Sequence, residues 1–248
     1  SKKILTLVKF IYGGTLVYAV AGVFDTILLA SVSNNGLAAV AVYSLAQNMA
    51  SLIQAPQRGI ISSSIAALSK AWKDKDHARI LNIYRQSSIN QLIFAVGMFS
   101  LIWLNFADGI FTFHLQSGYL DARWVFFFIG LMRIVDMGTG VNAQIIATSS
   151  LWKFEFYTGI ILLSITLPLN YILTKYYFDV MGPAIANLIS FTIYNLIRYW
   201  YLQKKFNMQP FSLQSLFTII LGVSSFYCCY FLFDSYHGFK WLMIRSAC

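Results

Sequence analysis

Seven stretches of this chain run for 18 to 32 residues with almost no charge: Phe10 to Val32, Leu37 to Leu68, Ser87 to Phe106, Trp124 to Thr148, Phe156 to Leu173, Met181 to Trp200 and Leu213 to Phe233. A helix rises about 1.5 Å per residue, so roughly 20 apolar residues cross a hydrocarbon layer about 30 Å thick. Few soluble folds need such lengths repeatedly. Composition agrees: 58% of the 248 residues are hydrophobic, 11% are charged and the mean hydropathy is +0.64. The expected fold class is therefore all-α, a polytopic membrane helix bundle of about seven transmembrane helices.

The connectors alternate in character. Ser33-Asn34-Asn35-Gly36 is short and neutral, whereas Lys70 to Arg79 is long, charged and reads as helical. With a cytoplasmic N-terminus, the inside segments hold Lys2, Lys3, Lys9, Lys70, Lys73, Lys75, Arg79, Arg85, Lys153, Arg198, Lys204 and Lys205, twelve of the eighteen basic residues. The opposite side holds Arg123, Lys175 and Lys240. That asymmetry satisfies the positive-inside rule and predicts a multi-pass protein of the cytoplasmic membrane. It also accounts for the net charge of +9 without nucleic acid, since the cations form neither one patch nor a phosphate loop. These loop cations are read as setting orientation and meeting head groups, and none is taken as a ligand contact.

A charged side chain in mid-membrane must face a partner or water. Arg58 lies in the second stretch beside Gln54 and Gln57, next to Pro56, where a 32-residue helix is expected to bend. A guanidinium in a wet cavity suits phosphate or pyrophosphate; the alternative is that Arg58 bonds a carbonyl freed by Pro56 or pairs with Asp25. Asp25 is protonated, paired across the bundle or a coupling-ion site. Arg133 and Asp136, three residues apart on one helix, are expected either to neutralise one another or to take part in coupling and substrate binding. Asn142, Gln144, Asn170, Asn187 and Asn195 supply hydrogen bonds across helices or a cavity lining. Gly130, Gly138, Gly140 and Gly182 are read as points of close helix approach. The three histidines fall in connectors, and Cys228, Cys229 and Cys248 have no metal-ligand or disulfide spacing, so neither a metal nor a cofactor is expected and the chain is not read as an enzyme.

The runs Gln54-Ala55-Pro56-Gln57-Arg58-Gly59, Leu68 to Asp76 and Ile83-Tyr84-Arg85-Gln86-Ser87-Ser88 resemble the polysaccharide biosynthesis flippases (oligosaccharide, lipopolysaccharide or O-antigen exporters) of the multidrug/oligosaccharidyl-lipid/polysaccharide exporter superfamily. Gly138 to Ile146, Leu167-Pro168-Leu169-Asn170-Tyr171 and Gly182 to Asn187 extend the resemblance over nearly the whole chain, in the order of the family's C-terminal half. The resemblance implies the C-terminal lobe of a MATE-like fold, with residues 1–205 as a six-helix lobe and residues 206–248 as an additional helix and the start of a truncated last one. It further implies transport of a lipid-diphosphate-linked oligosaccharide across the bacterial cytoplasmic membrane, with a missing N-terminal lobe as partner. Arg58 then falls where family members carry cavity arginines, and Arg133 is a less close match. A start at Ser1 and an apolar run from Phe239 to Ile244 fit a piece of a longer chain. Two rival functions are a cation-coupled multidrug exporter, which favours acidic and aromatic cavity residues, and an integral membrane enzyme of glycan assembly, which needs a catalytic base at the membrane face.

Overall fold

The computed structural model describes residues 22–233, together with Tyr12 and Val20. Lys2, Lys3, Lys9, the first half of the first apolar stretch, Lys240, Arg245, Cys248 and the expected truncated helix lie outside the described residues. Among the described residues the fold is all-helical, without strands. The helices are α1 (Gly22–Val32), α2 (Leu37–Ile53), α3 (Gln57–Lys73), α4 (His77–Thr112), α5 (Ala122–Gly138), α6 (Asn142–Ala147), α7 (Trp152–Leu173), α8 (Gly182–Phe206) and α9 (Leu213–Phe233).

By length and apolar character, three described stretches can cross a membrane: α4, residues 152–206 and α9. Counting α2 and α3 as one bent span makes four. The bend falls where Pro56 placed it, a 48° change of direction across Gln54-Ala55-Pro56. Proline leaves the carbonyl four residues back without its helical donor, and the chain turns there instead of running straight for about 48 Å. The stretch 152–206 is not one rod. It reverses through a π turn at Thr174–Phe178 and a 3-10 turn at Asp179–Met181, so that α7 and α8 lie side by side and antiparallel. Phe154 stacks on Tyr201 near one end of this hairpin, while Asn170 and Asn187 share a hydrogen-bond partner near the other.

The connectors collect at two opposite ends of the bundle. Asn35, Gln116, Tyr119, Asp121 and Val180 surround one pocket at the first end. At the second end the Trp72 indole donates to the Ile145 carbonyl at 3.1 Å, His77 packs on Phe206, and Arg85 donates to the Gln209 carbonyl. Each end has its own apolar core. Tyr43, Ile53, Phe106, Phe126 and Met137 are buried in the larger one; Leu68, Ile80, Tyr84, Ile145 and Leu202 fill the one at the second end. Helix α9 lies along α4 and keeps most of its apolar surface outward, as expected of a helix solvated by lipid.

Three sequence expectations are corrected. The connector Lys70 to Arg79 is not one helix: it breaks at Asp74–Asp76, where Lys75 adopts φ +55° and the Asp76 carboxylate caps α4 by accepting from the Arg79 amide at 2.9 Å. Arg198, counted with the loop cations, is buried inside the bundle. The fourth apolar stretch is broken: α5 stops at Gly138 and α6 restarts at Asn142.

Gly140 explains that break. Its φ of +63° is left-handed, and a Cβ there would stand 2.8 Å from Ser87 Oγ and 2.9 Å from the Ser88 backbone nitrogen. Serines 87 and 88 of α4 also take over the freed backbone groups, Ser88 Oγ donating to the Gly138 carbonyl and the Val141 amide donating to Ser87 Oγ. Gly140→Ala therefore combines a disfavoured φ with a clash against backbone, and is expected to cost about 1–3 kcal/mol. Thermal unfolding in detergent checks this, with Gly118→Ala, which has open space at its Cβ, as the control.

Candidate functional site

Two hydrogen-bonded polar groups inside the bundle gather most of the residues singled out from the sequence. The first is centred on Asp25 of α1, which is 3% exposed. Its Oδ2 accepts from the Tyr43 hydroxyl at 2.7 Å and from Asn187 Nδ2 at 2.6 Å; its Oδ1 accepts from Asn170 Nδ2 at 2.6 Å. One carboxylate thus ties together α1, α2, α7 and α8. A buried carboxylate requires such donors, because water is not there to solvate it. Among the described residues no cation lies within 4 Å of Asp25. The suggested pairing of Arg58 with Asp25 is not made: Arg58 is exposed on α3.

Two buried side-chain oxygens on α7 are left over, one on the Asn170 that donates to this carboxylate and the other on Thr166. Asn170 Oδ1 and Thr166 Oγ1 are buried without a hydrogen-bond partner, and the two residues sit one turn apart. Pro168 lies between them and continues the helix without an amide hydrogen of its own. Carboxylate, amide and hydroxyl oxygens of this kind are the donor set of a hard cation.

The second group joins the two helix breaks. Gln54 donates to Gln57 Oε1 at 3.0 Å, and Gln57 Nε2 donates to Asp136 Oδ2 at 3.1 Å. Asn195 Nδ2 of α8 donates to Asp136 Oδ1 at 3.2 Å, and Asn195 Oδ1 accepts from the Thr139 hydroxyl and from Asn142 Nδ2, each at 3.0 Å. The irregular backbone at 54–56 and at 139–141 is therefore connected through side chains of α3, α5, α6 and α8. Arg133 and Asp136 make no ion pair within 4 Å, contrary to the pairing their spacing suggests. Residues three apart are neighbours on a helix, but Asp136 is turned to Gln57 and Asn195. Arg133 is half-buried with its Nε unpartnered.

Sequence reasoning missed a third feature. Glu155 of α7 and Arg198 of α8 form a salt bridge whose side chains are 20% and 4% exposed, and Arg198 also donates to the Tyr194 hydroxyl. The signal was present: Glu155 and Arg198 stand at matching distances on either side of the reversal at 174–181, which an antiparallel hairpin brings face to face.

Among the described residues no three histidine, cysteine, aspartate or glutamate side chains gather as a metal site. Comparison of the chain with protein-family models, with curated proteins and with solved structures finds no match.

Proposed function

We propose that this chain is a lobe of a membrane transporter of the polysaccharide-exporter type, with seven bilayer-spanning segments in a MATE-like arrangement and its N-terminus in the cytoplasm. Its cargo is a lipid-diphosphate-linked oligosaccharide, moved across the bacterial cytoplasmic membrane between this lobe and a second one. The observation that carries the proposal is the meeting of two interrupted helices at one internal polar chain, Gln54–Gln57–Asp136–Asn195–Thr139/Asn142. Backbone that leaves the helical ladder at membrane depth is tolerated where it is buried in protein or lines a cavity, and transporters use such breaks as binding and gating points.

The charge pattern supports the orientation. Lys70, Lys73, Lys75, Arg79, Lys153, Lys204 and Lys205 all belong to the second end of the bundle, whose connectors would face the cytoplasm. Arg58 suits the anionic part of the cargo. It follows Gln57 directly, is exposed on the outer side of the break, and offers a planar fork of donors to a diphosphate. Arg133 is the second attracting cation, half-buried on α5 with its Nε unpartnered. The Asp25 nest suits the driving ion: a cation bound by Asp25, Asn170 Oδ1 and Thr166 Oγ1 would compete with the bonds that Tyr43 and Asn187 make to the same carboxylate, and so bias how α1, α2, α7 and α8 pack.

In the full-length protein, Arg58→Ala is expected to lower glycan export by roughly ten- to a hundredfold, the loss of one or two charge-assisted hydrogen bonds, while abundance stays within about twofold. Parallel loss of abundance and export would make Arg58 a packing residue. A protein that confers drug resistance, and keeps it intact in Arg58→Ala, would favour the multidrug exporter.

A further inference from the structure

The outer side of α8 carries an apolar stripe at helical spacing, Ile193, Leu196, Ile197, Trp200 and Tyr201, that ends in Lys204 and Lys205. With Phe154 of α7 it encloses an open trough of about 700 Å³. The floor at its lysine end is the Phe154–Tyr201 stack, with ring centroids 3.7 Å apart. Trp200 stands beside it, 71% exposed. The two ammonium groups are the charges that line the trough, and among the described residues no carboxylate lies within 4 Å of either.

We infer that this trough is a binding site for an anionic phospholipid, with an acyl chain along Leu196 and Ile197 and the phosphate between Lys204 and Lys205. The reasoning is one of matching layers. In a bilayer the trough runs from hydrocarbon depth to the head-group level, where Trp and Tyr side chains favour the interface and lysines reach anionic phosphates. A zwitterionic lipid fills the apolar part equally well but brings its own cation to the two lysines. Cations in a helix's last turn also offset the helix dipole, and that role needs no trough beside them. The site rests on residence in a bilayer and not on the transport reading, so it stands or falls separately from the cargo proposed above.

The test is native mass spectrometry of the full-length protein released from nanodiscs containing phosphatidylglycerol and phosphatidylcholine with identical acyl chains. The native protein is expected to retain phosphatidylglycerol preferentially. Lys204→Gln together with Lys205→Gln should weaken that retention on the order of tenfold and leave phosphatidylcholine unchanged. Ile197→Trp, which fills the trough and keeps both lysines, should weaken it as well. Lys153→Gln, at the same end of the bundle and outside the trough, should not. Circular dichroism and gel filtration establish that each variant is folded. Equal retention of the two lipids by the native protein, native-like retention in the lysine double variant, or an equal loss with Lys153→Gln would overturn the inference.

Discussion

Arg198→Ala is expected to lower the unfolding free energy by about 3–5 kcal/mol, enough to remove most of the folded protein from the membrane. The reason is what it leaves behind. Glu155 is held by Arg198 and faces Tyr194 inside the α7–α8 hairpin, and without the guanidinium its carboxylate stays in a low-dielectric site with no countercharge. Removing both partners is a different experiment. Arg198→Met with Glu155→Leu deletes the charge and its partner together, and replacement of a buried pair by apolar groups is often neutral or better. The double variant should therefore recover most of what the single one loses. Denaturant unfolding of the native protein, Arg198→Met, Glu155→Leu and the double variant in one detergent, with Arg198→Ala alongside, checks this as a mutant cycle; a double variant as unstable as Arg198→Ala would mean that packing around Tyr194, not charge, holds the hairpin.

Asp25→Asn is expected to be the complementary case, with a large loss of function and a small loss of stability. The substitution keeps the size of the side chain and one acceptor oxygen, which in the Oδ2 position still accepts from Tyr43 and Asn187, while the new amide group faces Asn170 and can donate to its Oδ1 once that side-chain amide turns over. It removes the negative charge that would hold a cation. Ion-driven transport should fall by about 5- to 150-fold, the range of a coupling free energy of 1–3 kcal/mol. Any stabilisation of the native protein against heat by the driving cation should disappear in the variant. Asp25→Asn protein that transports normally would reduce Asp25 to a structural anchor of four helices. Thr166→Val is a milder probe of the same nest, since it removes an unpartnered hydroxyl and preserves shape.

The all-helical, apolar character of the chain and the bend at Pro56 were legible in the sequence because both are local properties: a run of apolar residues, or a ring that removes an amide, acts wherever it sits; three or four described stretches, set against the seven read from the sequence, are long and apolar enough to cross a membrane. The alternation of connectors was legible for the same reason. The partners were not. Asp136 has Arg133 within one turn of its own helix, yet it binds Gln57, 79 residues away, and Asn195, 59 residues away. That choice depends on how α5 is rotated against α3 and α8, which the whole packing decides. Arg198 was misplaced because an arginine near the end of an apolar run reads equally well as a loop cation or as one half of a buried pair. The break at Gly140 was missed because glycine in a membrane helix usually permits close packing. Here only its positive φ, together with serines 87 and 88 on the facing helix, makes it a turn. Asn170 and Asn187 were picked out individually; that they close on one aspartate becomes visible only when α7 folds back onto α8.

If this bundle is part of a machine that moves an anionic lipid-linked glycan, as proposed above, that movement is measurable in liposomes. The full-length protein, reconstituted in liposomes, is supplied with a fluorescent lipid-diphosphate oligosaccharide in one leaflet, and its arrival in the other is followed by quenching from outside under an imposed cation gradient. Transfer is expected to depend on the gradient, to be lost in Asp25→Asn and to be strongly slowed in Arg58→Ala. Transfer no faster than in protein-free liposomes, or transfer indifferent to both substitutions, would contradict the proposal.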